Sequence, residues 1–345
     1  WPGTLIVVSH DRKLLNLLNS VCELSGNGIK SYGGNYDFYT EQKQLAKNAL
    51  EQDINSKEKA LRKAKEKERE ALERQQKQDA KGKKKQEKAG VARIMMNTLR
   101  NNAEKSTSKM KEVHAEKVGG VAQELSTLRS QLPDADKMKF GFNHSLLHKG
   151  KILFEAIGLN HRYAQQSLWK ENLDFQITSG ERIAIKGLNG SGKTTLIHLL
   201  LGNMPVHVGQ LKITEVKAIY IDQDFSLLNP LLNVYEQAQH FNTGTLQEHE
   251  VKTRLNRFLF GKEDWDKACS SLSGGERMRL MLCCLTLGSH APDLIVLDEP
   301  TNNLDIQNIE ILTAAINEYE GTLLVVSHDE YFLEQINIQR EIKLG

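Results

Sequence analysis

Apolar positions fall along this chain in two contrasting regimes. Between residues 41 and 88 the sequence is almost entirely Glu, Lys, Arg, Gln and Ala, without proline and with one glycine, Gly82. Its few larger apolar side chains and alanines, Leu50, Ile54, Leu61, Ala64 and Ala71, form a narrow seam at near-heptad spacing. That pattern predicts one long helix suited to a two-helix coil rather than to a globular core. Val118, Val121, Leu125, Leu128 and Leu132 then repeat in three-four steps up to Pro133. A second helix is therefore expected to pair antiparallel with the first as a projecting arm, the alternative being a single solvated helix followed by disorder. Over 151–345 the pattern changes to β-rich runs, such as 151–159 and 175–186, alternating with helical periodicity, as in an α/β domain.

A repeat cuts across this division. The run GTLIVVSHD at 3–11 returns as GTLLVVSHD at 321–329, identical at eight of nine positions. Each copy reads as a buried parallel strand whose carboxyl end presents Ser-His-Asp. Two homologous domains follow as an expectation, the first present only as its last strand and tail. The expected organisation is a strand and helix remnant over 1–40, a charged helical-hairpin linker over 41–150, and a nearly complete second domain over 151–345.

Composition narrows the function classes. A chain of 345 residues suits about two domains, and its formal charge of +2 points toward no polyanionic partner by itself. The charge is local instead. Between Lys81 and Lys117 there are eleven Lys and Arg against Glu87, Glu104, Glu112 and Glu116. This stretch, with Lys83, Lys84, Lys85, Arg93 and Arg100 among its cations, is interleaved with Asn, Ser, Thr and Met, a mixture suited to phosphates, sugars and bases. Four cysteines, Cys22, Cys269, Cys283 and Cys284, show no metal-type spacing, and reduced core cysteines favour the cytoplasm. No apolar run reaches the roughly 18 residues that span a bilayer, so membrane insertion is not expected.

The chemistry is concentrated after residue 180. GLNGSGKT at 187–194 follows an apolar strand and precedes a helical segment, the context of a phosphate-binding P-loop. Gly187, Asn189, Gly190, Ser191, Gly192 and Thr195 would cradle phosphates with backbone N–H groups at a helix N-terminus. Lys193 would charge-pair the β/γ-phosphates, and Thr194 would ligate Mg²⁺. LIVLDEP at 294–300 reads as a buried strand delivering Asp298 to Mg²⁺ and Glu299 to an attacking water. LSGGE at 272–276 opens a helix and makes a second anion site with Ser273, Gly274, Gly275 and Glu276. Two phosphate loops in one domain suggest that ATP is sandwiched between domains. The competing structural readings are a glycine-rich turn, a carboxylate pair capping the next helix, and a core histidine at His328.

Together, the P-loop, the glutamine of YIDQD, LSGGE, LDEPTNNLD and SHD resemble an ATP-binding cassette over 151–345. The resemblance implies a P-loop NTPase fold with antiparallel β and helical subdomains, acting as an ATPase. It implies that Tyr163 stacks on adenine, Gln223 meets Mg²⁺ and the attacking water, Asp305 lies at the contact between domains and His328 holds the γ-phosphate. By the repeat, His10 would be the corresponding switch of a first cassette. Asn303 departs from the histidine common in the family. The charged helical linker and the run GNYDFYTEQK at 34–43 resemble the ABC-F ATPases, which act on ribosomes in translation or antibiotic protection. That resemblance implies rRNA or tRNA at the basic tip, and a weakly active isolated fragment that pairs with a first cassette or head-to-tail with itself. The alternatives are the ATP-binding subunit of a membrane transporter and a DNA-maintenance ATPase.

Overall fold

The computed structural model describes residues 3–25, 28–88, 93–132, 138, 140–142, 147–164 and 166–345. Within its two long helices it describes side chains for 36–77, 80, 81, 108, 109, 112, 113 and 115–130. The chain folds as two units, Trp1–Pro133 and Asp134–Gly345.

The first unit opens with α1 (Arg12–Asn16), capped by Asp11, whose carboxylate accepts from the N–H groups of Lys13 and Leu14. A short antiparallel hairpin follows, β1 (Val21–Ser25) and β2 (Gly28–Tyr32). Then come two long helices, α2 (Tyr36–Lys88) and α3 (Arg93–Ser130). Asn16 and Asp37 fasten the start of α2 with a reciprocal pair of hydrogen bonds, each 2.9 Å. The Tyr32, Tyr36 and Tyr39 rings pack there at 4.9 and 5.6 Å. Farther along, Lys57 pairs with Glu124, and Arg129 with Glu58 at 2.6 Å. Lys57 and Glu124 stand equally far from the link between the helices, so α2 and α3 run antiparallel.

Every residue of both apolar seams is buried or half-buried, with Ile54 and Leu125 the most enclosed. The thin stripe is therefore the helix–helix contact. Truncating a buried leucine typically costs ~2–5 kcal/mol, and an unpaired carboxylate adds a desolvation penalty. Leu125→Asp is accordingly expected to destabilise this unit by roughly 3 kcal/mol or more, seen as helical circular dichroism lost at lower temperature. Glu124→Gln, which removes only an exposed ion pair, should leave the melting curve near wild type.

One expectation fails here. Residues 4–8 of the first repeat copy form no strand, and Leu5, Ile6 and Val8 are 66, 87 and 94% exposed. The second copy is a wholly buried strand. A strand exists only through its neighbours, and among the described residues nothing pairs with the first copy.

The second unit begins with β3 (Ile152–Asn160), the two-residue strands β4 (Arg162–Tyr163) and β5 (Gln166–Ser167), and β6 (Leu173–Thr178). Then come β7 (Arg182–Gly187), α4 (Lys193–Leu200), β8 (Val208–Ile213) and β9 (Ala218–Ile221). A helical stretch follows, α5 (Val234–Phe241), α6 (Glu248–Arg257) and α7 (Gly274–Leu287). The chain closes with β10 (Leu294–Asp298), α8 (Ile306–Glu318), β11 (Thr322–Val326), α9 (Glu330–Gln335) and β12 (Arg340–Leu344).

The expected α/β class is what forms. A parallel sheet runs in the order β12-β7-β11-β10-β9, beside a smaller antiparallel sheet, β6-β3-β8. Alternate residues of the inner parallel strands enter opposite cores. Leu294 and Val296 join Trp169 and Leu196 on one face, while Ile295 and Leu297 join Met281 and Phe332 on the other. Burial on both faces explains the unbroken apolar runs that mark these strands. Arg182 fixes the start of β7 by donating to the carbonyls of Ile316, Tyr319 and Ile336 at 2.7–2.9 Å. The loops leaving the carboxyl ends of β7, β9, β10 and β11 share one crevice, where open α/β sheets bind ligands.

Candidate functional site

The loop after β7 is built around two glycines that nothing else can replace. At Gly187 an added Cβ would lie 2.3 Å from Ser191 Oγ and 2.8 Å from the Leu344 carbonyl. Gly192, the N-cap of α4, has φ +89°, and a Cβ there would sit 2.6 Å from Leu168. The Trp169 indole N–H donates to the Ser191 carbonyl at 2.9 Å, while Ser191 Oγ is buried without a hydrogen-bond partner. Lys193 Nζ donates to the carbonyls of Gly187 and Leu188 at 2.8 and 3.1 Å. A helix N-terminus and an ammonium thus border one concavity, the physical make-up of an anion site.

A cavity of about 610 Å³ opens over this loop, a size suited to a nucleotide. Asn189, Gly190, Gly192, Lys193, Thr194 and Thr195 line it from the loop side, together with Tyr163. Tyr220, Gln223, Asp298 and Glu299 line it from the strand ends. Tyr163 is 53% exposed, and its hydroxyl lies 3.0 Å from Thr195 Oγ1. Thr194 Oγ1 donates to Asp298 Oδ2 at 3.3 Å. The hydroxyl of Thr194, the carboxylate of Asp298 and the amide oxygen of Gln223 are the hard oxygen donors that Mg²⁺ takes. Among the described residues no group of three His, Cys, Asp or Glu side chains is placed to chelate a metal. An ion here would accordingly fill its remaining positions with phosphate and water oxygens, as Mg²⁺ does.

Glu299 follows β10 in the left-handed region, φ +49°, held by its N–H to the Val326 carbonyl at 2.8 Å. Burial raises its carboxyl above the ordinary carboxylate range, against the opposing pull of His328. His328, at the end of β11, brings Nε2 to 3.3 Å from Glu299 Oε1 and donates its backbone N–H to Oε2 at the same distance. The exposed imidazole is thus oriented by the carboxylate next to the cavity.

The LSGGE loop lines a second cavity of about 290 Å³, where Ser273, Gly274, Arg277 and Asn303 meet Gln223 and Asp224. Ser273 and Glu276 form a reciprocal capping box on α7. Burial alone would raise the Glu276 carboxyl; hydrogen bonds from Lys267 and Ser273 outweigh it and bring it down to about 2. At Gly275 an added Cβ would fall 2.1 Å from Asn308 Nδ2, so a larger residue there would displace the Asn308 side chain. Asp305 caps α8, accepting from the backbone and side-chain nitrogens of Asn308. Asn303 has φ +61°, a conformation asparagine takes with less strain than most residues.

His10 lies in the first unit, exposed. Lys83, Lys84 and Lys85 fall in the last turns of α2, and Arg93 and Arg100 in the first turns of α3, where their side chains lie outside the described residues. Two contributors escaped the sequence reading. Tyr220 had a signal, three places before Gln223 at the end of a strand. Trp169 had none, since its contact with the P-loop crosses between layers.

Residues 170–302 match the model of the ABC transporter family. The ATP-binding protein Uup of Escherichia coli is 31% identical over 340 residues, covering 97% of this chain and 47% of that protein. The ATP-binding protein Uup-like of Haemophilus influenzae is 31% identical over 344 residues, covering 97% and 65%. The ribosome protection protein VmlR of Bacillus subtilis is 29% identical over 353 residues, covering 97% and 58%. The chain thus spans about half to two thirds of the length of these relatives.

Proposed function

The chain belongs to the ATP-binding cassette family, in the ABC-F group of its Uup and VmlR relatives, and from that premise we propose that it is a Mg-ATP-hydrolysing factor acting on the ribosome. The observation that carries the ATPase part is the single cavity shared by Lys193, Thr194, Gln223, Asp298 and Glu299. In this reading the P-loop amides and Lys193 hold the β/γ-phosphates, with Tyr163 against adenine. Thr194, Asp298 and Gln223 would hold Mg²⁺, which neutralises charge developing on the phosphates. Glu299 accepts a proton from the attacking water, and His328, oriented by Glu299, holds the γ-phosphate. Ser273 to Glu276 and Asp305 face nucleotide held by an opposing cassette, in the same polypeptide or in another copy.

The ribosome part rests on the α2–α3 hairpin with its local excess of cations, and on the likeness to a ribosome protection protein. A transporter subunit has no use for such a hairpin, and among the described residues no helix is long and apolar enough to cross a membrane. We place the basic stretch against rRNA or tRNA, in the cytoplasm.

The test is cosedimentation with ribosomes across a salt series, with ATP present. Counterion release predicts that replacing Lys83, Lys84 and Lys85 by glutamine lowers the salt slope by about 2 to 3, at ~0.7–0.9 per phosphate contact. Phosphate release should stay unchanged in this variant. A slope identical to wild type would leave the hairpin as a spacer, and copurification with membranes instead of ribosomes would favour the transporter subunit.

A further inference from the structure

One oxygen of Asp298, at the floor of the phosphate cavity, is held from two sides. Thr194 Oγ1 donates to Oδ2 at 3.3 Å, and the hydroxyl of Tyr220 donates to the same oxygen at 2.9 Å. Tyr220 lies on β9, directly opposite Val296 of β10 in the parallel ladder, so its phenol extends two residues along the neighbouring strand to reach the carboxylate. The ring packs edge-on against His198 of α4, with centroids 5.8 Å apart. A phenol is protonated at neutral pH, so Tyr220 is the donor of this bond and the Asp298 carboxylate its acceptor.

We propose that Tyr220 is a positioning residue for the divalent cation: it fixes the Asp298 carboxylate so that an ion arriving with nucleotide meets an oxygen already set in place. This rests on reading the cavity as a Mg-ATP site. Hydrogen-bond partners of metal-binding carboxylates typically matter by ~10–100-fold in metal affinity. The direct hydrogen bond to Oδ2 and the packing of the Tyr220 ring against His198 give it that place.

The discriminating variant is Tyr220→Phe, which keeps the ring against His198 and removes only the hydroxyl. Mn²⁺ serves as the probe, titrated by electron paramagnetic resonance with the protein saturated by a non-hydrolysable ATP analogue. Analogue affinity is measured separately in EDTA, and folding by thermal melting. Mn²⁺ affinity is expected to fall about 10- to 100-fold, with metal-free analogue affinity and melting temperature near wild type. Unchanged Mn²⁺ affinity would overturn the proposal. Equal losses of metal-free nucleotide and of Mn²⁺ would overturn it too, because Tyr220 would then support the pocket as a whole. Failure of the wild type itself to bind the analogue would instead strike the functional reading of the cavity.

Discussion

Lys193→Ala is expected to weaken ATP binding at least about 100-fold, or about 2.8 kcal/mol, in a titration with a fluorescent ATP analogue. Among the described residues the ammonium is the one side-chain cation lining the cavity, and charge-assisted hydrogen bonds to phosphate are the strongest a side chain makes there. Lys193 donates to the carbonyls of Gly187 and Leu188, both at the mouth of the loop. Water can replace it on those oxygens, so the fold should survive, and a melting temperature near wild type is part of the expected result. An affinity within about twofold of wild type would remove the P-loop from the site.

Glu299→Gln should separate binding from turnover. The amide keeps the size of the carboxylate and still accepts from the His328 N–H, so the loop and nucleotide affinity are expected to hold. Loss of the proton acceptor should lower kcat by roughly 10²–10⁴, measured as phosphate release under saturating Mg-ATP, with bound ATP accumulating on the protein. Turnover near wild type would pass the role to another carboxylate. Asp222 and Asp224 line the same cavity, and their amide variants are the next to measure.

The two copies of the SHD repeat separate what sequence can tell from what it cannot. In both, the Asp N–H bonds the Ser hydroxyl, Asp11 to Ser9 at 3.0 Å and Asp329 to Ser327 at 3.1 Å. In both, the Asp carboxylate caps the helix that follows. These bonds span two or three residues, so nine letters suffice to specify them. The strand before them does not follow from the same letters, because its ladder needs neighbours distant in sequence. Thr322 to Val326 find β10 and β7; residues 4–8 find no partner among those described.

The helical hairpin was legible for the opposite reason. A seam of Leu, Ile, Val and Ala at near-heptad spacing in a charged background is the pattern of a helix–helix contact. Within the site, the residues on the P-loop and after β10 sit in local motifs and were legible as such. The grip of Tyr220 on Asp298 depends on the parallel register of β9 and β10, and that of Trp169 on the packing of one layer over another. Neither register nor layer contact is written in any short window.

The strand order has a consequence for the order of synthesis. β7, which carries the P-loop, is flanked by β11 and β12 and by no earlier strand. Its hydrogen-bonding edges stay bare until residues 322–344 have been made, and its closest pairings span well over a hundred residues. Such long-range parallel pairing is slow to form and exposes apolar strand surface meanwhile. A nascent chain can thus complete its helical hairpin long before it can hold a phosphate, and nucleotide binding marks the closing stage of folding rather than an early scaffold for it.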